Sequence, residues 1–404
     1  MTSTEPAGLL PVELFIVLLA LATGVALVAR RTAIPNSVAL VVAGLALAVA
    51  VPGVDIDISP ELILAVLLPG LVFEAAYKID LGELRRSFGI VAILAAPGVL
   101  ITAAIVAVMV SALTGMDIGL AFILGAILSA TDPVAVVALF KRLKAPTRLA
   151  TMVEAESLLN DGTGVVLFAI ALQAISTPVP IQNGAITFVV TIVVSTLVGA
   201  VAGFIAERLM RIADDHLIEV AISVVAAYGT YLLADRLHES GIIATVVVGL
   251  VLGNAGGTRR LSERTREALD ITWEFVAFLL TALTFLLVGL AISPGQLSAA
   301  LPVIGAGYLA ITVARLLVVY GVIGGGARLI PGPEPLPVGY LHVMFWAGLR
   351  GAVAVALALA LPTSLPDRDL LTGAVFGVVL ITLLVQGTTA GWVVRRAGVI
   401  DPAP

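Results

Sequence analysis

The chain has 404 residues, of which 60% are apolar and 12% charged. A soluble protein carries about 25% charged residues, so this composition excludes an ordinary soluble domain and predicts a polytopic membrane protein. The net charge of −5 says nothing about orientation, which follows the placement of Lys and Arg. The lack of cysteine excludes disulfides, thiolate chemistry and Cys-based metal sites. The sequence holds no linker-like or low-complexity stretch, which predicts a single membrane domain over 1–404. The first apolar run, 9–29, is too long for a cleaved signal peptide and lacks a basic leader.

In chain order the apolar runs predict thirteen transmembrane helices, at 9–29, 34–52, 60–77, 88–114, 118–140, 149–175, 184–211, 216–235, 241–253, 268–292, 299–323, 338–361 and 370–394. With the N-terminus outside, the inner loops hold Arg30, Arg31, Lys78, Arg85, Arg86, Lys141, Arg142, Lys144, Arg148, Arg208, Arg211, Arg259, Arg260, Arg264, Arg266, Arg328, Arg395 and Arg396. The outer loops hold only Arg236 and Arg368, while Arg315 and Arg350 fall inside spans. That bias predicts an outside N-terminus and a cytoplasmic C-terminus, because a missed span would invert every later loop.

An odd count has a further implication. If spans one to six recur as eight to thirteen around a connecting seventh, the second copy is inverted. Inverted repeats with broken helices meeting at the midplane are a secondary-transporter architecture. Span five is interrupted by Thr131-Asp132-Pro133, where proline removes a backbone donor and disfavours helix at Asp132. Span twelve is interrupted by Gly348-Leu349-Arg350-Gly351. The expected fold is therefore all-α, with inverted six-helix repeats and two crossed discontinuous helices.

Carboxylates at bilayer depth are costly and mark an ion or proton path by default. At 1.5 Å rise per residue, Asp161 lies roughly 15 Å from one face and Asp132 roughly 20 Å from the other, both near the midplane. A phase of about 100° per residue groups Glu154, Ser157 and Asp161 on one side of span six and sets Glu156 and Asn160 apart from them. Asp161 and Ser157 then belong to the ion site, and Asn160 either holds the broken backbone or shapes the site. Thr131 sits where unwinding exposes carbonyl oxygens, as a ligand or simply as part of the break. Glu74 either lines the approach or faces cytoplasmic water. Arg350 offsets the partial charges of opposed helix ends, and Arg315 needs an acid, for which Glu156 is the candidate. His216, His238 and His342 lie in loops or near a span end, so the carboxylates must carry the proton. Glu207, Asp214, Asp215 and the 259–267 cluster read as solvated loop charges.

The segments FEAAYKIDL (73–81), SATDPVAVVALFK (129–141), EAESLLNDGTGVVLF (154–168), FLLVGL (285–290) and FWAGLRGAVAVALAL (345–359) span most of the chain. In that order they resemble the electroneutral branch of the monovalent cation/proton antiporters, prokaryotic sodium/proton exchangers related to the animal ones. Asn160-Asp161 looks like the electroneutral form, and Ala155 departs from a common glycine. The resemblance implies a transport part (about 88–175 and 299–396), a dimerisation part (about 9–77 and 216–292) and a linking helix (184–211). It implies that Na+ is held by Asp132, Asp161, Ser157 and the Thr131 carbonyl, with Glu74 nearby and Glu156–Arg315 as a structural ion pair. It further implies elevator-like 1:1 exchange of a cation for a proton by a homodimer in the plasma membrane, with no cofactor and no nucleic-acid partner. A potassium/proton exchanger fits the same motifs. A cation channel would want a continuous pore and filter loop, and an intramembrane aspartyl protease would want Gly-x-Gly-Asp and Tyr-Asp; none of these is visible. The chain is thus expected to be a transporter, not an enzyme.

Overall fold

The computed structural model describes residues 9–29, 31, 35–50, 59–176, 180–213, 215–254, 263–325 and 336–400. Arg30, Arg259, Arg260, Arg328 and Asp214, read above as loop charges, lie outside the described residues. The elements are α1 (Leu9–Ala29), α2 (Asn36–Ala50), α3 (Leu68–Lys78), α4 (Leu81–Ala95), α5 (Pro97–Thr114), α6 (Ile118–Ser129), α7 (Val134–Leu143), α8 (Thr147–Ser176) and α9 (Ile181–Ala213). There follow α10 (His216–Arg236), α11 (Gly241–Asn254), α12 (Glu263–Ala291), α13 (Pro294–Leu316), α14 (Val338–Trp346), α15 (Ala352–Leu359), α16 (Arg368–Ile381) and α17 (Thr388–Arg396). Wider π-helical turns lead into α3 (Leu62–Leu67), extend α13 (Leu317–Gly325) and join α16 to α17 (Thr382–Gly387). Among the described residues there is no strand. Among the described residues, seven helices are long and apolar enough to cross a membrane, and four shorter apolar helices accompany them.

Local chemistry sets the boundaries. Asp117 accepts hydrogen bonds from the N–H groups of Gly119 (2.8 Å) and Leu120 (3.1 Å), capping α6. Asp215 caps α10 in the same way through Leu217 and Ile218. Asp80 accepts from Glu83 N–H at 2.9 Å, so helix begins at Leu81, earlier than the predicted residue 88. Arg85 and Arg86, expected in a loop, therefore stand exposed on α4. Pro97 then interrupts the predicted fourth span, separating α4 from α5. Glu207 is likewise on helix rather than in a loop; it lies on α9, ion-paired with Arg211 one turn away.

Small residues let helices approach closely. A Cβ added at Gly44 would lie 2.2 Å from Leu286 O, and one at Gly289 would lie 2.2 Å from Val41 O, so α2 and α12 meet backbone to backbone. A second core gathers around Trp273, which is fully buried against Phe73 with ring centroids 4.4 Å apart. Its indole N–H donates to Ser223 Oγ at 2.9 Å, satisfying the one polar atom buried with it. By contrast, α9 leaves Ile186, Val189, Val193, Leu197, Val201 and Phe204 exposed, as a lipid-facing helix would.

Candidate functional site

Two chain breaks meet at the centre. α6 ends at Ser129 and α7 begins at Val134; α14 ends at Trp346 and α15 begins at Ala352. The interrupted backbones satisfy each other in part, Asp132 N–H donating to Leu349 O at 2.8 Å. The crossing is close: a Cβ on Gly351 would fall 2.0 Å from Asp132 Oδ2. Only glycine leaves that space, which explains the residue that follows Arg350.

Four half-helix ends converge there, and their partial charges are answered in two places. Arg350, 3% exposed, donates from Nε to Leu128 O at 2.8 Å and from Nη1 to Gly348 O, at the carbonyl ends of α6 and α14. Its own N–H donates to Thr382 Oγ1 at 3.2 Å. Asp132 lies at the opposite poles, accepting from Val134 N–H at 3.0 Å and from Ala352 N–H, at the starts of α7 and α15. The cation answers the two negative ends and the carboxylate the two positive ones.

From α8 come the remaining groups. Ser157 Oγ donates to Thr131 O. Asn160 accepts from Thr131 N–H at 3.2 Å and donates from Nδ2 to Thr131 Oγ1 at 2.7 Å. Asn160 thus clamps the broken backbone. Asp161 is 8% exposed, and its Oδ1 is buried with no hydrogen-bond partner among the described residues.

A cavity of about 390 Å³ brings Thr131, Asp132, Ser157 and Asp161 together and extends past Glu154 to Glu74, Lys78 and Lys141. Glu74 pairs with Lys78 along this lining. Glu156 and Asn160 face a second, far smaller chamber with Arg315 and Arg350. The helical phase had set these two groups of α8 residues apart, and the two chambers lie on those two sides. Glu156, 2% exposed, forms a two-pronged ion pair with Arg315. Arg315 also donates to Met344 O at 2.7 and 3.2 Å, near the end of α14.

Several groups at or beside the site escaped the sequence reading. Glu154 shares the phase of Asp161, a signal that could have placed it in the cavity. Gly351 was read as a helix breaker and not as the crossing point. Thr382 gave no signal, being one hydroxyl in an apolar run. The histidines stand outside the cavity lining, His342 meeting Tyr320 across 2.6 Å.

Two broken helices crossed at paired buried charges, in an all-α chain of membrane-crossing helices, define a secondary-transporter architecture. The chain belongs to the sodium/hydrogen exchanger transmembrane family, whose sequence model matches residues 16–396. It is 38% identical to the low-affinity Na+/H+ antiporter NhaS1 of Synechocystis, over 97% of this chain and 76% of that protein. It is 38% identical to the Na+/H+ antiporter NhaP of Pseudomonas aeruginosa, over 84% of this chain and 82% of that one. Its fold matches the sodium proton antiporter MjNhaP1 of Methanocaldococcus jannaschii with a TM-score of 0.78 at 21% identity, covering 96% of this chain and 99% of that chain. The protein is therefore a multi-pass membrane protein with an antiporter fold.

Proposed function

We propose that the protein exchanges a monovalent cation, sodium foremost, for a proton, and that Asp161 carries either one. The observation that carries this reading is the cavity that Asp161 lines together with Asp132, Ser157 and Thr131. Cation binding needs the ionised carboxylate, whereas a proton neutralises it, so the two exclude each other. Either loaded form crosses; the empty charged form is held back by the cost of burying it. Exchange instead of leak follows, with one cation per proton because Asn160 cannot ionise. The names of the relatives support the choice of ions.

On this reading the thirteen crossings run from an outside N-terminus to a cytoplasmic C-terminus in the plasma membrane. Residues 88–175 and 299–396 move as the transport part against a dimer formed through 9–77 and 216–292, with 184–211 linking them. Glu74 lines the approach, Arg350 and Asn160 shape the site, and Glu156–Arg315 holds α8 to α13. No cofactor takes part.

The test is reconstitution into proteoliposomes carrying a pH gradient, read with a pH dye beside a potential-sensitive dye. Sodium is expected to dissipate the gradient without generating a potential. Dissipation by potassium in place of sodium would reassign the cation. A cation current with no proton coupling would overturn exchange in favour of a channel.

A further inference from the structure

Helix α11 meets α8 at its start and the link between α3 and α4 at its end, and each contact has an unusual local chemistry. At its start, Ile243 is 3% exposed and fills a notch over Gly162, the residue after Asp161. A Cβ at Gly162 would lie 2.4 Å from Ile243 Cγ1. At its end, Asn254 reads the short link between α3 and α4 as a neighbouring strand would. Its Oδ1 accepts from Leu81 N–H at 3.0 Å, and its Nδ2 donates to Ile79 O at 3.0 Å. That link, 79–81, is where the chain passes from the dimerisation part into the transport part.

α11 itself is seated by close backbone approaches to α3 and α9. A Cβ at Gly253 would lie 1.9 Å from Tyr77 O on α3, and one at Gly199 on α9 would lie 2.3 Å from Ala244 O. Ser195 Oγ on α9 accepts from Ser240 N–H at 2.9 Å, just before α11 begins. A rod so tightly seated cannot follow α8 if α8 moves.

We infer that α11 is a fixed latch that holds the transport part in the position seen here, through Ile243 in the Gly162 notch and Asn254 on the 79–81 link. The inference rests on the proposal that the transport part moves. Displacement of α8 must lift Gly162 off Ile243, and re-angling of α4 must break one or both Asn254 hydrogen bonds. The latch sets how long the cavity stays open to its own side, and it makes no contact with the transported ion.

The cysteine-free chain allows a direct test. Ala138, exposed on the cavity lining, is replaced by cysteine as the only thiol, and an impermeant maleimide is added from the cavity side of proteoliposomes. Asn254→Leu and Ile243→Ala should each slow labelling about threefold or more, as losing the hydrogen bonds of the one or the packing of the other shifts the population away from this position. Asn254→Asp, which keeps the acceptor for Leu81, should fall between parent and Leu. Ile243→Val is the milder variant if Ile243→Ala fails to fold, and it should slow labelling by less. Unchanged labelling in folded variants, with a parent whose labelling responds to sodium and pH gradients, would overturn the latch alone. A parent whose labelling never responds would overturn the moving transport part and the latch with it.

Discussion

Asp161 and Asp132 differ in what surrounds their oxygens. Asp132 is engaged by two helix starts, whereas Asp161, which also lines the cavity, has a buried oxygen with no hydrogen-bond partner among the described residues. Asp161→Asn is therefore expected to abolish sodium-driven proton movement while leaving a folded, extractable protein, checked by transport assay and size-exclusion chromatography. Asp132→Asn should also abolish transport but melt lower than Asp161→Asn, because an amide answers two helix N-termini less well than a carboxylate. Ser157→Ala should mainly raise the apparent KM for the cation. Glu156→Ala or Arg315→Ala strands a buried charge and should cost about 3–5 kcal/mol each, with the double change less than additive in thermal melts. Melting like the parent together with lost ion affinity would move Glu156 into the ion site. These pairings were legible because α8 is regular: a phase of about 100° per residue sufficed to separate Glu156 from Asp161. What hydrogen bond Thr131 makes was not legible, since an irregular backbone has no period to extrapolate.

At the scale of elements, both breaks could be read from Asp-Pro and from Gly-Leu-Arg-Gly, where the backbone chemistry forbids regular helix. The π-helical turns could not, because a widened turn is chosen by tertiary packing and leaves no periodic mark. The early start of α4 hinged on one capping carboxylate, Asp80, within a polar stretch that reads equally as loop. Gly351→Ala tests the crossing: its methyl group must displace the Asp132 carboxylate, so transport should fall to background and the melting temperature should drop. At the start of α10 the N–H groups of Ile218 and Leu217 hold the Asp215 carboxyl below the usual carboxylate range. Its stabilisation is thus present above the unfolded carboxylate value of about 3.9 and is lost as pH falls through the lower folded value. The melting difference between the parent and Asp215→Ala should stay constant from neutral pH down to that range and vanish only below it.

For the whole molecule, the decisive property is the charge moved per cycle. With Asp132 and Asp161 acting as a coupled pair that takes one proton or one cation, both loaded forms carry the same charge. A voltage imposed with valinomycin and potassium should leave the sodium/proton ratio at one, after correction for any potassium transport. A potential generated by wild-type exchange with no counter-ion present would break that stoichiometry. The all-helical, multi-pass plan was readable because lipid imposes few solutions: an apolar run must pair its own backbone groups, and a helix does so. The packing of those spans was not, since the small residues that seat α2 on α12 or α11 on α3 resemble any other glycine in an apolar run.

The shared hydrogen bonds of the two breaks also bear on how the protein is made. Ser157 and Asn160 reach Thr131 from 26 and 29 residues away, so their part of the first break can close as soon as α8 is inserted. Arg350 reaches Leu128 from 222 residues away, and Asp132 N–H must wait for Leu349. Through most of synthesis the nascent chain therefore holds unpaired backbone groups at the bare ends of α6 and α7 in the bilayer, a costly condition in lipid. Chains halted before residue 349 should insert their first spans yet be cleared quickly by membrane proteases. Pulse-chase of truncations ending on either side of that residue would reveal the step, with the half-life rising once Arg350 can dock.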